Sequence, residues 1–265
     1  MNVSSNEPAA RSNRSRGVAV PPEPSELDGP HPARRRFGRA AVLAVAFYLG
    51  MTAVWTGIGL LLTKPLASSW VGTLDGRVAT WMVAHRTHTL DGLTQIGSML
   101  AQTLVKVVVT VVIVVVLYLV FRSWREPVLV GLAAIIEGAV FVTVTWIVAR
   151  PRPDVVRLDG VSVGTSFPSG HTAAAAAYCA VVIVIFERTR AVWIRTLAVA
   201  LAVAVPLIVG VSRVYRGDHY LTDVLAGLLL GLVGVLAAYL VVRRAFERHH
   251  STNRPASAPT AAGGT

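Results

Sequence analysis

Three short polar segments of this 265-residue chain concentrate arginine, histidine and aspartate between long apolar stretches. They are Arg150-Pro151-Arg152-Pro153-Asp154, Pro168-Ser169-Gly170-His171, and the stretch from Ser212-Arg213 through His219 to Asp223. Arginine presents a planar fork of N–H donors that fits phosphate oxygens, and histidine serves as nucleophile, base or acid near neutral pH. The residue types therefore point to phosphate chemistry, provided that the fold brings the segments together.

The second segment has the features of an anion site at the start of a helix. Pro168 ends the preceding chain, and Ser169 is a preferred N-cap residue for the helix expected to follow. Gly170 lets the backbone approach a ligand closely. The free N–H groups of a first helical turn attract anions, and the helix dipole adds to this attraction. Arg152 and Arg213 are the side chains expected to complete a phosphate-binding site.

The third segment resembles a catalytic pair in its spacing. His219 and Asp223 are four residues apart, so they share one face of a helix. The Asp223 carboxylate can accept the Nδ1–H of His219, which leaves Nε2 free as nucleophile or base. His171 remains as a second imidazole, able to protonate a leaving oxygen.

Each segment alone also has a structural interpretation: a turn, a rigid basic loop or a surface ion pair. The composition favours a functional interpretation of the segments. Of the residues, 54% are hydrophobic and only 15% are charged, whereas soluble domains have about a quarter charged. Three polar clusters in such a chain are hard to explain as solvation. The composition and the single cysteine also exclude a disordered chain and a disulfide-rich scaffold.

The elements that position these segments are predicted to be membrane helices, since a spanning helix needs about 20 apolar residues. A further segment, 70–82, has the spacing of an amphipathic helix at the membrane interface. We predict an all-α six-transmembrane bundle at 40–245, with disordered cytoplasmic tails at 1–39 and 246–265. The predicted spans are 41–62, 92–121, 127–149, 169–186, 196–212 and 220–242.

The net charge of +11 reflects mainly topology. Most arginines lie at one set of span ends, which the positive-inside rule places in the cytoplasm together with both termini. We therefore expect a multi-pass protein of the cell membrane and no nucleic-acid partner. The three polar segments then lie on the extracytoplasmic face. Four arginines lie on that face, which the positive-inside rule leaves poor in positive charge: Arg150, Arg152, Arg213 and Arg216. Phosphate binding would explain their presence there.

These segments resemble the three-part signature of the type 2 phosphatidic acid phosphatase (PAP2) superfamily. That signature is Lys-x6-Arg-Pro, then Pro-Ser-Gly-His, then Ser-Arg-x5-His-x3-Asp. The second and third parts match completely at 168–171 and 212–223, and the resemblance covers about 40–245. The first part departs from the pattern, because Arg152 and Pro153 match its end but Thr145 stands where the signature has lysine.

The resemblance implies a membrane phosphatase that acts on a lipid phosphate or diphosphate without a metal or other cofactor. It implies that His219 attacks phosphorus to form a phosphohistidine, that Asp223 orients His219, and that His171 protonates the leaving oxygen and then activates water. It assigns the phosphate oxygens to Arg152, Ser169, Gly170 and Arg213, and Arg213 also counts among the catalytic residues.

The expected substrate is an amphiphile whose phosphate reaches the interface while its tail stays in lipid. Undecaprenyl diphosphate and phosphatidic acid both fit, and analogy with bacterial relatives slightly favours the isoprenoid diphosphate. Two alternatives stay open: a lipid phosphotransferase, and a catalytically silent protein that binds or transports lipid phosphates. Thr145 supports the silent alternative. The oligomeric state is not predicted.

Two isolated charges lie within the predicted spans, Lys106 in the second and Glu137 in the third. These spans run in opposite directions, so the two side chains are expected at similar depths, and intramembrane charges usually pair. We predict a buried Lys106–Glu137 ion pair. Arg150 and, alternatively, Lys106 are the candidates to replace the missing signature lysine.

Overall fold

A computed structural model describes residues 32–99, 102–160 and 164–246. Within these ranges the chain is helical and contains no strand, which confirms the predicted all-α class. The helices are α1 (Pro32–Thr63), α2 (Trp70–Ala84), α3 (His88–Met99), α4 (Thr103–Phe121), α5 (Arg125–Val148), α6 (Gly170–Ala177), α7 (Cys179–Arg188), α8 (Val192–Tyr215) and α9 (Leu221–Phe246).

Six segments of the described part of the chain are long and apolar enough to cross a membrane: α1, α4, α5, α6 with α7, α8 and α9. The chain is thus a multi-pass membrane protein, as predicted. The most apolar segment, Leu104–Phe121, has a mean hydropathy of 3.0, and none of it is buried inside the protein. Most of its valine and leucine side chains are exposed, as they would be against lipid, which does not penalise apolar surface.

The helix boundaries differ from the prediction in three places. The predicted span 92–121 is divided, because α3 ends at Met99 and α4 begins at Thr103. The predicted fourth span is interrupted at Tyr178, between α6 and α7. Helix α1 begins at Pro32, so residues 32–39 extend the first helix instead of belonging to a tail. The remainder of the predicted tails, 1–31 and 247–265, lies outside the described residues.

Helix α9 is at the centre of the bundle and packs closely against α6, α5 and α1. Small residues permit the closest of these approaches: a Cβ added at Gly227 would overlap the carbonyl oxygen of Ser169, and one at Gly231 would overlap that of Ala173. Small side chains let membrane helices come into backbone contact. This packing holds the start of α6, with Ser169, directly beside the start of α9, which carries Asp223.

The predicted pairing of the two intramembrane charges is confirmed. The Nζ of Lys106 on α4 donates to Oε2 of Glu137 on α5 at 2.6 Å. The Glu137 side chain is 0% exposed and that of Lys106 is 20% exposed. The ion pair therefore joins the lipid-facing α4 to the buried face of α5.

Candidate active site

The three polar segments meet at the end of the bundle where α5 ends and α6 begins, and Asp218 joins two of them. Its carboxylate and carbonyl oxygens accept bonds from Nη1 of Arg152 at 3.2 and 2.9 Å. Its Oδ2 lies 3.0 Å from Nη2 of Arg213. Asp218 is 0% exposed, so it holds both guanidinium groups together inside the protein, immediately before His219. This role of Asp218 was not predicted from the sequence pattern.

His219 is buried, and the backbone determines its tautomer. Its Nδ1 lies 2.6 Å from the carbonyl oxygen of Ser166. A carbonyl can only accept, so Nδ1 carries the proton and Nε2 presents a lone pair. The prediction that Nδ1–H donates to Asp223 is wrong, because Oδ2 of Asp223 lies 3.9 Å from Nδ1.

Asp223 has other partners. Its Oδ1 accepts from Nη1 of Arg150 at 2.6 Å, and its Oδ2 accepts from the backbone N–H of Tyr220 at 2.9 Å. These donors occupy both carboxylate oxygens, so Asp223 lies near the His219 ring as a negative charge without a hydrogen bond to it.

The electrostatic surroundings favour a neutral His219. Burial lowers the pKa of the imidazole well below its ordinary value of 6.5, and the positive charges of Arg213 and Arg152 lower it further. An imidazole that loses its proton at low pH is available as a nucleophile throughout the neutral range.

Arg150 does not replace the missing lysine, because two buried carboxylates bind its guanidinium group. Besides Asp223, its guanidinium binds Asp75 of α2, with Nη2 to Oδ2 at 3.0 Å. Asp75 is 1% exposed and also accepts the backbone N–H of Thr222 at 3.1 Å. The Asp75–Arg150–Asp223 chain therefore fixes α2 to the start of α9. Asp75 was not predicted, because the only signal was a single carboxylate within the predicted amphipathic helix.

The Pro-Ser-Gly-His segment is placed as predicted, with one difference in its contacts. Ser169 occupies the N-cap position of α6, but its side chain makes no capping bond. Its Oγ instead lies 3.0 Å from Oγ1 of Thr172. A Cβ at Gly170 would lie 2.7 Å from the ring of Phe141, so glycine here allows α5 and α6 to pack closely.

His171 and Arg213 line one cavity of about 310 Å³. The other lining residues come largely from α3 and the residue before α4: Gln95, Ser98, Met99, Gln102 and Asp159. Nη1 of Arg213 is hydrogen-bonded to Ser98 Oγ and, at 2.9 Å, to Oδ2 of Asp159. A larger cleft of about 410 Å³ between α7, α8 and α9 is lined by apolar side chains and Cys179, so it lacks groups for phosphate chemistry.

The sequence model of the PAP2 superfamily matches residues 126–247. Residues 126–247 are therefore similar to the PAP2 superfamily. The match includes both complete signature segments and the helices α5 to α9 that position them.

Two curated relatives match about a third of the chain. The chain is 37% identical to phosphatidylglycerophosphatase B of Bacillus subtilis over 92 residues, which are 33% of this chain and 43% of that protein. It is 32% identical to lipid A 1-phosphatase of Rhizobium johnstonii over 106 residues, 37% of this chain and 40% of that protein. The matches thus span less than half the length of either relative.

A solved structure shares the fold over a greater length. The crystal structure of a PAP2-type phosphatidylglycerolphosphate phosphatase from Bacillus subtilis matches with a TM-score of 0.65 at 22% identity. The match covers 75% of this chain and 98% of that one, so the PAP2 helical architecture extends over most of the chain.

The position of the PAP2 signature lysine contributes no cation here. Thr145 directs its Oγ1 to the carbonyl oxygen of Phe167 at 3.4 Å. Among the described residues, no group of three or more histidine, cysteine, aspartate or glutamate side chains is arranged to hold a metal ion. The arginine charges that act most on the His219 imidazole are those of Arg213 and Arg152.

Proposed function

We propose that the chain is an integral membrane phosphatase that hydrolyses a lipid phosphate or diphosphate through a phosphohistidine at His219, without a metal. One observation carries the proposal: a buried imidazole whose Nδ1 is bonded to a carbonyl at 2.6 Å, beside two guanidinium groups held by Asp218. A neutral imidazole with a free Nε2 can attack phosphorus, and the two guanidinium groups offset the negative charge that otherwise repels a nucleophile.

In the first step, His219 Nε2 forms a bond to phosphorus as the bond from phosphorus to the leaving oxygen breaks. Arg152 and Arg213 bind the equatorial oxygens, where negative charge collects, with Ser169 and the Gly170 backbone N–H at the start of α6. His171, on the cavity wall, gives its proton to the leaving oxygen. The imidazole of His219 becomes positive, and Asp223, 3.9 Å from Nδ1, stabilises that charge.

In the second step, the roles of the acid and base are reversed. His171, now unprotonated, takes a proton from water, whose oxygen attacks phosphorus as the phosphorus–nitrogen bond breaks. Inorganic phosphate leaves, and both histidines return to their starting protonation states. Each step thus uses one proton, transferred through His171.

The proposed substrate class is a membrane lipid whose phosphate or diphosphate enters the cavity from the interface. Support comes from the names of the two relatives, a phosphatidylglycerophosphatase and a lipid A 1-phosphatase. Undecaprenyl diphosphate and phosphatidic acid are the proposed candidates. The distribution of arginines supports a cell-membrane protein with cytoplasmic termini and an extracytoplasmic site in the 40–245 domain.

The test offers purified protein in detergent, with EDTA, three substrates: phosphatidic acid, phosphatidylglycerol phosphate and undecaprenyl diphosphate. We expect phosphate release from at least one, a loss of at least about 1,000-fold in His219→Ala because the nucleophile is gone, and normal release in His88→Ala. His88 is exposed at the start of α3 and serves as the matched histidine control.

Three results would argue against the proposal. Release that survives His219→Ala excludes the phosphohistidine. Consumption of the lipid phosphate without release of inorganic phosphate favours the phosphotransferase. Binding without consumption of any of the three lipids favours a silent lipid-phosphate-binding or transport protein.

A further inference from the structure

The carboxylate of Asp159 lies between the guanidinium groups of Arg213 and Arg216. Asp159 accepts from Nη1 of Arg213 through Oδ2 at 2.9 Å and from Nε of Arg216 through Oδ1 at 2.6 Å. Nη2 of Arg216 contacts the same Oδ1. One planar anion thus bridges two guanidinium groups, in the way that a phosphate group does.

The side chains of Arg213 and Arg216 are buried, whereas the Asp159 side chain that binds them is more exposed. The side chains of Arg213 and Arg216 are 7% and 6% exposed, against 28% for Asp159. Nη1 of Arg216 is directed towards α3, where it donates to the carbonyl of Asp91 at 3.2 Å and lies 3.4 Å from Oγ1 of Thr94. The guanidinium groups would therefore stay in place if the Asp159 carboxylate moved away.

Asp159 also lines the cavity that contains His171. It lines the cavity of about 310 Å³ together with His171 and Arg213, whereas Arg216 does not line it. Removal of the Asp159 carboxylate would thus give an anion in this cavity access to a guanidinium group that it cannot now reach.

We propose that Arg213 and Arg216 form a second anion subsite, that Asp159 occupies it in the substrate-free protein, and that the second phosphate of a diphosphate lipid displaces Asp159 to bind there. This inference rests on the proposed function and assigns its substrate class. The first phosphate binds between Arg152 and Arg213, and the second binds between Arg213 and Arg216. A phosphate carries more negative charge than a carboxylate and has more acceptor oxygens, so it competes effectively for the same donors.

Protonation does not empty this subsite near neutral pH. Burial raises the pKa of Asp159, but hydrogen bonds with Arg216 and with the carboxyl group of Asp218, together with the charges of both arginines, lower it to about 2. The carboxylate remains charged under physiological conditions, so a competing anion is required to displace it.

Binding of inorganic pyrophosphate and inorganic phosphate to the purified full-length protein tests the inference without turnover. The readouts are calorimetric affinity and the shift in thermal unfolding temperature for wild type, Asp159→Asn, Asp154→Asn and the double variant Asp159→Asn/Arg216→Gln. Asp154 is exposed in the same loop, so Asp154→Asn removes the same charge without vacating the subsite.

We expect Asp159→Asn to bind pyrophosphate at least about tenfold more tightly than wild type, with a smaller gain for phosphate. Asp154→Asn should stay within about twofold of wild type, and the double variant should lose the gain. The inference is overturned if Asp159→Asn binds pyrophosphate no more tightly, if Asp154→Asn gains as much, or if phosphate gains as much as pyrophosphate. Because these measurements need no hydrolysis, failure of lipid cleavage in wild type would contradict the proposed function separately.

Discussion

The Lys106–Glu137 ion pair provides a quantitative test of how the bundle is held together. The two atoms are 2.6 Å apart, and the carboxylate is completely buried. Removal of one partner leaves an uncompensated buried charge, which costs about 3–5 kcal/mol, whereas removal of both is far less costly. We therefore expect Lys106→Met and Glu137→Gln each to be strongly destabilised, and the double variant to recover most of the loss.

The assay is thermal unfolding in detergent. At about 2–4 °C per kcal/mol for a domain of this size, each single variant should unfold roughly 10 °C below wild type. Lys64→Met is the matched control, because Lys64 is exposed in the turn after α1. It should change the unfolding temperature little.

Two outcomes would refute the reasoning. A double variant no more stable than the weaker single variant would show that the charges do not compensate each other. If Glu137→Gln left stability and activity intact while Lys106→Met alone abolished activity, Lys106 would act on the substrate instead.

Two further predictions concern the packing and protonation of the site. Gly227→Ala forces a Cβ into the Ser169 carbonyl oxygen, so we expect the free energy of unfolding to fall by about 1–3 kcal/mol and turnover to decrease. Gly131→Ala is the control, because its nearest neighbour is at 3.8 Å, and it should retain both stability and turnover. Equal behaviour of the two variants would contradict the packing argument. Burial and the adjacent arginines lower the pKa of His219, so its ¹⁵N NMR signal should show a neutral ring above pH 6.5 and protonation only well below it; a midpoint at 6.5 or higher would contradict the electrostatic account.

Sequence patterns were sufficient to predict the helical class and the meeting of the three polar segments. Apolar runs identify membrane helices, and the alternation of span direction places alternate loops at the same end of a bundle. The alternation of span direction also predicted that Lys106 and Glu137 lie at similar depths and form an ion pair.

Contacts between distant segments were not predictable in this way. The spacing of His219 and Asp223 placed them on one helical face but gave no information about competing partners. The carbonyl of Ser166, 53 residues away in sequence, binds the imidazole instead. Arg150 comes from a third segment to bind Asp223.

The contribution of α3 was missed for a different reason. Its residues formed part of one apolar run, which predicted a single long span. In the structure α3 is a separate helix that packs against α8 and buries Thr94 and Ser98. Hydropathy averages over such a segment and cannot reveal that its few polar atoms face Arg213 and Arg216.

The most direct test of the central claim is isolation of the covalent intermediate. Protein mixed with a ³²P-labelled lipid phosphate, quenched in alkali and digested, should yield an acid-labile phosphate on the peptide that contains His219. The label should be absent from His219→Ala. Turnover with no label at His219, or with label on another side chain, would contradict the account.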